Sequence, residues 1–427
     1  MASGEGGRKF DMIVFGASGF TGQFVVEEIA RTQDEEGKLN WAIAGRSMSK
    51  LQNVLKEATK HTGKDLENLD IIIADVTSEN SLHEMCKQTK VILNCVGPYQ
   101  LYGDPVVKAC IENKTHHIDI SGEPLFLENT QLVYDGKAKE AGIYVLECCG
   151  FDSIPSDMGI VFLKNQFKGD LSHVEGYMVF IYDTLTSNLN AGTWKSAVYS
   201  YSNADKCKAV CKQLKKEPLP KGKYGNPKRS LIFYSKDTNG WCVHFMGVDR
   251  SVVLRSQRYN YEERKERPIQ FNAYMKLANI IGVMYMMFIG ALFGILTRFS
   301  LGIKILEKFP KVMSLGFFDP NGPSRKQIAG ASFTLDLFGY GYKDKLDDLN
   351  KQHEEEPTEK IVAKVSGPDA GYVTTPICMV QAAYTLLKEQ KNLPQGGGVF
   401  TPGAAFSKTS LVDRLNKHGL KFEIIQK

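Results

Sequence analysis

Apolar residues in the first third of the chain fall into short continuous runs, separated by helix-length stretches in which they recur every three or four positions. Phe10–Phe15, Trp41–Ala44, Ile71–Ala74, Val91–Cys95, His117–Ile120 and Ile143–Glu147 predict strands. The third and fourth are β-branched without alternation, as expected of parallel strands covered on both faces. Between the strands, Gly19–Arg31, Lys50–Lys60, Val106–Glu112 and Gln131–Glu140 predict helices, the first with Phe24, Val25 and Ile29 on one side. The alternation is that of a doubly wound parallel α/β sheet ending near Gly150.

Beyond Gly150 the alternation stops. Tyr177–Tyr182, Trp241–Phe245 and Ser251–Leu254 read as strands among loops. The lysine-rich stretch Lys206–Arg229, with Pro218, Pro220 and Pro227, reads as a solvated face or linker, and Glu354–Pro357 as an exposed turn. Thr375–Lys388 predicts an amphipathic helix, Gly396–Gly398 a turn and Ser410–His418 a last helix. The expected division is a Rossmann nucleotide-binding domain over 1–150, an α+β substrate or dimerisation-type domain over 151–374, and a C-terminal segment over 375–427 that returns to the nucleotide domain. A homodimer is left open.

One run breaks this soluble picture. Leu277–Thr297 holds no charge and is about as long as a bilayer core requires. Lys276, Arg298, Lys304, Lys308 and Lys311 flank it, cations that suit anionic headgroups. Gly290 and Gly294 form a small-x-x-x-small pair, and Phe299–Met313 alternates apolar and basic residues like an interfacial helix. A buried core helix is one reading. The other, preferred here, is a monotopic insertion or hairpin over 277–313 at a membrane, such as a lipid droplet or the cytosolic face of the endoplasmic reticulum. The first eight residues, Met1 to Arg8, are short and polar and leave no room for a signal peptide.

Composition narrows the partners. A net charge of +5 is too mild to argue for nucleic acid. Nine cysteines, odd in number and without a C-x-x-C pair, speak against a disulfide framework and a zinc site. They read as small buried hydrophobes in a reducing compartment.

The most specific signal is Gly16-Ala17-Ser18-Gly19-Phe20-Thr21-Gly22, placed between a strand and its helix. Gly16 permits the turn, Gly19 lets backbone N–H groups approach a pyrophosphate, and Gly22 lets the helix pack on the sheet. The helix N-terminus adds partial positive charge. At the end of strand two, where an NAD-binding domain places a carboxylate, the chain reads Ala44-Gly45-Arg46-Ser47. Arg46 can pair with a 2′-phosphate and Ser47 can add a hydroxyl, so NADP is expected over NAD. Asp75 is placed to reach an adenine edge. Asn94 to Pro98, with Gly97 and Pro98 at its close, lies where the nicotinamide side belongs.

With these pieces in place the chain resembles the saccharopine dehydrogenase-like oxidoreductase family. The resemblance runs nearly end to end: G-A-S-G-F-T-G, A-G-R (Ala44–Arg46), N-C-V-G-P-Y (Asn94–Tyr99), Y-G-D-P-V-V-K-A-C (Tyr102–Cys110), D-I-S-G-E (Asp119–Glu123), G-F-D-S-I-P-S-D (Gly150–Asp157) and G-G-V-F-T-P-G-A-A-F (Gly397–Phe406). It implies a Rossmann domain, an inserted α+β substrate domain and a returning C-terminal segment. A related branch of trans-acting enoyl reductases in bacterial lipid synthesis implies a hydrophobic substrate in lipid metabolism, glycolipid biosynthesis included. True saccharopine-forming enzymes carry a histidine where Tyr102 stands, and a Gly-Leu-Asp-Pro-Gly turn where Gly150–Pro155 stands. Their three-carboxylate product needs arginines; Arg250, Arg255 and Arg258 read either as such candidates or as ordinary surface charges.

Hydride transfer asks the protein to orient nicotinamide, polarise an acceptor and supply a proton. Tyr99, Tyr102 and Asp152 follow strand ends and are the catalytic candidates, with Ser121 and Glu123 nearby. Stacking on the cofactor for the tyrosines and helix capping for Asp152 are the alternatives. Two function classes follow: an NADP-dependent reductase of a hydrophobic substrate at a lipid surface, and a catalytically idle NADP-binding scaffold or redox sensor there.

Overall fold

The computed structural model describes residues 7–427 apart from Lys38, Leu185 and Asn350; residues 1–6, on which the expectation of no leader mostly rests, lie outside the described residues. Strands β1 (Phe10–Phe15), β2 (Trp41–Gly45), β3 (Asp70–Ile73), β4 (Thr89–Asn94), β5 (His116–Asp119) and β6 (Tyr144–Leu146) alternate with helices α1 (Phe20–Thr32), α2 (Met48–Thr62), α3 (Glu79–Cys86), α4 (Tyr99–Glu112) and α5 (Pro124–Ala141). Helix α6 (Ile154–Gln166) leads to a second region with strands β7 (Asp170–Ile181), β8 (Leu189–Asn190), β9 (Ile232–Ser235), β10 (Gly240–His244), β11 (Gln270–Leu277), β12 (Phe318–Asp319), β13 (Ser332–Tyr342) and β14 (Glu359–Pro368). Its helices are α7 (Ala191–Ser202), α8 (Ala204–Gln213), α9 (Asp249–Arg264), α10 (Ile280–Leu296), α11 (Ser300–Lys308), α12 (Pro310–Met313) and α13 (Arg325–Ala329). The chain ends with α14 (Thr375–Lys388), β15 (Gly398–Phe400), α15 (Pro402–Phe406), α16 (Leu411–Lys417) and β16 (Lys421–Gln426).

The first sheet has the order β15-β6-β5-β4-β1-β2-β3, with every pairing parallel. This is the doubly wound arrangement that the alternation predicts, and a ligand is expected at the carboxyl ends of its strands, where the order reverses between β1 and β4. Met12, Ile13 and Val14 of β1 and Val91, Ile92 and Leu93 of β4 are fully buried at its centre. β3 departs from expectation. It is the edge strand, and Ile73 is 49% exposed, so its β-branched run is not covered on both faces. The seventh strand, β15, escapes the sequence pattern because it is three residues long and starts at Gly398, whose φ is +133°.

The second sheet is mixed, in the order β16-β14-β13-β7-β11-β10-β9, with only β7 and β11 parallel. Ser251–Leu254, read as a strand, lies inside α9 instead. Val252 and Val253 are fully buried, and tertiary packing outweighs the small helix penalty of β-branching. The C-terminal segment serves both sheets. α14 packs on α1, where Thr32 and Tyr384 bring their hydroxyls to 3.1 Å, and β15 closes the first sheet. β16 instead pairs with β14 in the second.

The apolar run is divided. Leu277 ends β11, and the Asn279 side chain accepts from Gly282 N at 2.9 Å to start α10. The 17 residues of α10 rise about 25 Å, short of the roughly 30 Å of a bilayer core. Among the described residues no helix is long and apolar enough to cross a membrane. Nor is α10 a core helix: only Val283 and Phe293 are buried. A Cβ built at Gly290 or Gly294 meets nothing within 4 Å, so that pair is not a close-packing face in this fold.

Candidate functional site

The glycine-rich turn sits at the carboxyl end of β1. Gly16 has φ +83°, and a Cβ at Gly22 would lie 2.3 Å from Gly16 O, which holds α1 against the turn. Gly19 is the N-cap residue of α1 and has no side chain to cap it, leaving the first N–H groups for a ligand. Beside it a cavity of about 290 Å³ is lined by Ser18, Gln23, Ser49, Lys50, Asn53 and Val54. Arg46 is exposed at the adjacent turn and makes no ion pair among the described residues. Glycine backbone, a helix N-terminus, Arg46 and Lys50 together fit the pyrophosphate and 2′-phosphate of NADP. Ser47 caps α2, accepting from Lys50 N at 3.5 Å. Asp75 accepts from the N–H and hydroxyl of Thr77 at 2.9 and 2.8 Å, bonds that lower its pKa. Phe20, which opens α1, packs on Tyr372 at 4.8 Å and beneath Gly322, and Thr21 follows it in the first turn.

On the nicotinamide side, Gly97 and Pro98 lead into α4, with Pro98 as its N-cap residue. The Tyr99 hydroxyl is buried and donates to Asn94 O at 2.7 Å. Desolvation raises its pKa well above the usual range, and the hydroxyl braces the end of β4. Tyr102 is 37% exposed one turn later. Glu123 accepts from Tyr99 N at 2.8 Å, Gln100 N at 2.9 Å and the Ser196 hydroxyl at 2.7 Å. It thereby caps α4 and ties it to α7. Ser121 donates to buried Asp119 at 2.6 Å, and burial pushes Asp119 up to about 6. His117, 3.8 Å from that carboxylate, is held neutral by burial, down at about 3.

Asp152 is different. Its side chain is exposed at the end of β6, yet protein surrounds it closely enough that desolvation raises its pKa. Gly122 makes room for it, since a Cβ there would lie 2.5 Å from Asp152 Oδ2. It caps no helix, and no hydrogen bond engages it among the described residues. Behind it stands a residue the sequence reading missed, Asp249, which is 1% exposed and bonded to the Ser156 hydroxyl, with Oδ2 unpartnered. Burial pushes Asp249 up to about 8. Asp157 holds Ser256 and Gly403 N at 2.7 and 2.6 Å, and burial pushes it to about 7. No spacing rule would have found this pair. They come together only because α9 crosses α6.

The three arginines are spent elsewhere. Arg255 is buried on Glu147 at 2.9 Å, Arg258 pairs with Glu262 at 2.9 Å, and Arg250 donates to Asn272 at 3.2 Å. Arg255 keeps a buried Nη1 without a partner, and Arg250 is exposed.

Residues 12–146 match the saccharopine dehydrogenase NADP binding domain. Over 98% of both chains, the sequence is 49% identical to a saccharopine dehydrogenase-like oxidoreductase of Homo sapiens. The chain belongs to the saccharopine dehydrogenase-like oxidoreductase family. Its first domain therefore binds NADP, in agreement with the turn at Arg46. Another family relative, 42% identical over 97% of this chain and 98% of its own, is the lipid droplet localized protein of Caenorhabditis elegans. Apo saccharopine dehydrogenase (L-Glu forming) of Saccharomyces cerevisiae covers 97% of this family member and 100% of its own chain, with a TM-score of 0.51. At 12% identity that likeness concerns the fold alone.

Proposed function

We propose that the protein is an NADP-dependent oxidoreductase that reduces a hydrophobic, lipid-related substrate at a lipid-droplet or membrane surface. The observation that carries this reading is α7, which separates the nicotinamide side from an exposed apolar helix. One side of α7 holds Glu123 through Ser196 and reaches Gln100 through Ser200 at 3.3 Å. The other packs Trp194 on Phe293 of α10, ring centroids 5.0 Å apart. Outside that contact Ile281, Met284, Phe288 and Ile295 of α10 are 57–73% exposed. Phe299, Leu301 and Val312 continue the patch at 61–69%. Glu307, the only acid between Leu277 and Met313, is held by the Tyr199 hydroxyl. An uncharged face of this size with exposed Arg298, Lys304 and Lys308 at its rim fits a phospholipid monolayer better than water. The name of the worm relative supports the same placement.

In this role the glycine turn and Arg46 hold the cofactor, and Asp152 orients substrate or water in the cleft, with Tyr102 at its rim. Tyr99 positions the end of β4. The test has two arms. The purified protein should float with lipid droplets or vesicles on a density gradient, and NADPH should be consumed when a lipid extract is added. Ile281→Lys with Phe288→Lys should abolish flotation and leave NADPH affinity unchanged. Recovery of the unmodified protein wholly in the soluble fraction would end the surface placement. Tight NADPH binding without consumption by any lipid fraction would favour the idle scaffold, a reading supported by the commitment of the Tyr99 hydroxyl to backbone.

A further inference from the structure

A continuous file of aromatic rings connects the turn that carries Asp152 to the helix that carries the apolar patch. Phe151, the residue before Asp152, packs edge-on against Phe180 of β7, ring centroids 5.6 Å apart. Phe180 stacks on Tyr182 at 6.2 Å, and Tyr182 meets Phe317 edge-on at 5.6 Å. Phe317 contacts Phe318 at 5.4 Å, and Phe318 contacts Trp194 of α7 at 5.1 Å. Trp194 in turn packs on Phe293 of α10 at 5.0 Å. Every step lies within the roughly 4.5–7 Å over which aromatic rings attract each other.

Burial differs along the file. Its ends are closed, with Phe151, Trp194 and Phe293 each no more than 7% exposed. Between them Phe180, Tyr182, Phe317 and Phe318 are half-buried, as is Phe245, whose ring lies 6.4 Å from that of Phe180. From Tyr182 to Phe318 each ring meets only the ring before and the ring after it among the described aromatic residues. A second contact joins the file to the apolar patch. Tyr285 of α10, 45% exposed, donates its hydroxyl to Ser314 O at 3.4 Å, and Ser314 Oγ accepts from Phe318 N at 2.9 Å. Leu315, next in the chain, is 53% exposed.

We propose that this file is the binding track of one long acyl chain, which enters beside α10 and lies along Phe318, Phe317, Tyr182 and Phe180 with its reactive end at Asp152. Aromatic and apolar lining with few polar groups is what a hydrocarbon guest requires. A track a single ring wide suits one chain and not a monolayer, which the broader face of α10 meets. The guest covers ring surface that water otherwise wets, and this apolar burial supplies its affinity. The inference rests on the reading of α10 as lipid-facing.

The test is photolabelling of the full chain, with NADPH added and vesicles omitted, by a palmitic acid analogue that carries a diazirine in mid-chain. Label is expected on the peptides that hold Phe180–Tyr182 and Phe317–Phe318. Phe317→Glu should cut it about tenfold, since a carboxylate finds no partner against hydrocarbon, while Phe317→Leu should keep it. Label confined to α10 and α11, or undiminished in Phe317→Glu, overturns the track. Should Phe317→Glu lose its cooperative melt, competition decides. Untagged palmitate must then displace the label and butyrate must not, and label displaced by neither or by both alike overturns the track. Flotation is scored separately. Unmodified protein that is labelled along the file but does not float overturns the lipid reading of α10 and leaves the track standing, whereas protein that floats without label on the file overturns the track alone.

Discussion

Helices α1 and α10 invert the usual relation between sequence and burial. α1 carries Glu27, Glu28 and Arg31 in 13 residues, yet nine of its residues are buried, both glutamates among them. α10 has no charge in 17 residues and buries two. The difference lies in what surrounds each helix. α1 is enclosed by β1, α2 and α14, and its acids are met by Arg31 at 2.8 Å and by Arg325. α10 buries only Phe293 and Val283 and leaves Ile281, Met284, Phe288 and Ile295 exposed. On the proposed reading, the open face of this apolar helix is covered by a lipid surface.

The largest expected effect separates the glycines of the two helices. Gly22→Val would drive a side chain into Gly16 O and Ala17 Cα, backbone that shapes the pyrophosphate turn, whereas Gly290→Val meets nothing. NADPH titration followed by fluorescence should show binding lost beyond about 100-fold in the first and unchanged in the second. Intact binding in Gly22→Val would place the phosphates elsewhere.

Next in size is the contrast within α10. Phe293→Ala removes a buried ring packed on Trp194 and should destabilise the fold by about 3–5 kcal/mol. Phe288→Ala, at 64% exposure, should stay within about 0.5 kcal/mol while weakening vesicle binding. Denaturant melts and vesicle pelleting check both, and a large stability loss from Phe288→Ala would show that this face is covered within the protein.

At the other end of the cofactor, Arg46→Asp should weaken NADPH by about 1.5–3 kcal/mol and spare NADH. Equal affinity of the unmodified protein for both nucleotides would remove the role given to Arg46.

The last effect depends on pH and concerns α6 and α9, whose Asp157 and Asp249 are buried without an ion pair among the described residues. Asp249 is pushed from its ordinary 3.8 to about 8. The folded state therefore holds a proton that the unfolded chain has released. The resulting stability is full below about pH 4 and is lost by about 1.4 kcal/mol per pH unit as pH rises to 8. Asp249→Asn should flatten this slope and raise the thermal midpoint at pH 8 by a few degrees. An unchanged slope in melts from pH 5 to 8 would show that another group carries it.

Legibility differed between the regions for physical reasons. The inner strands of the nucleotide domain could be read because a sheet covered by helices on both faces demands apolar runs, and the edge strand β3 was read from its β-branched run alone. The pyrophosphate turn could be read because only glycine fits where Gly16 and Gly22 stand. The second region was opaque. β13 and β14 form ten paired positions, but Gly339, Gly341 and Asp336 interrupt their alternation, and each strand depends on its neighbours for cover. The three-residue β15 is a strand only because β6 lies beside it.

Sequence by itself determined the nucleotide domain, its turn and the binding of NADP, because each rests on contacts between residues close along the chain or on a backbone geometry only one residue type permits. Tertiary structure alone decided which apolar helix is buried, which of Tyr99, Tyr102 and Asp152 is exposed, and that Asp249 lies near Asp152. Those outcomes depend on which elements cross in space, and burial is a property of the surroundings rather than of the residue.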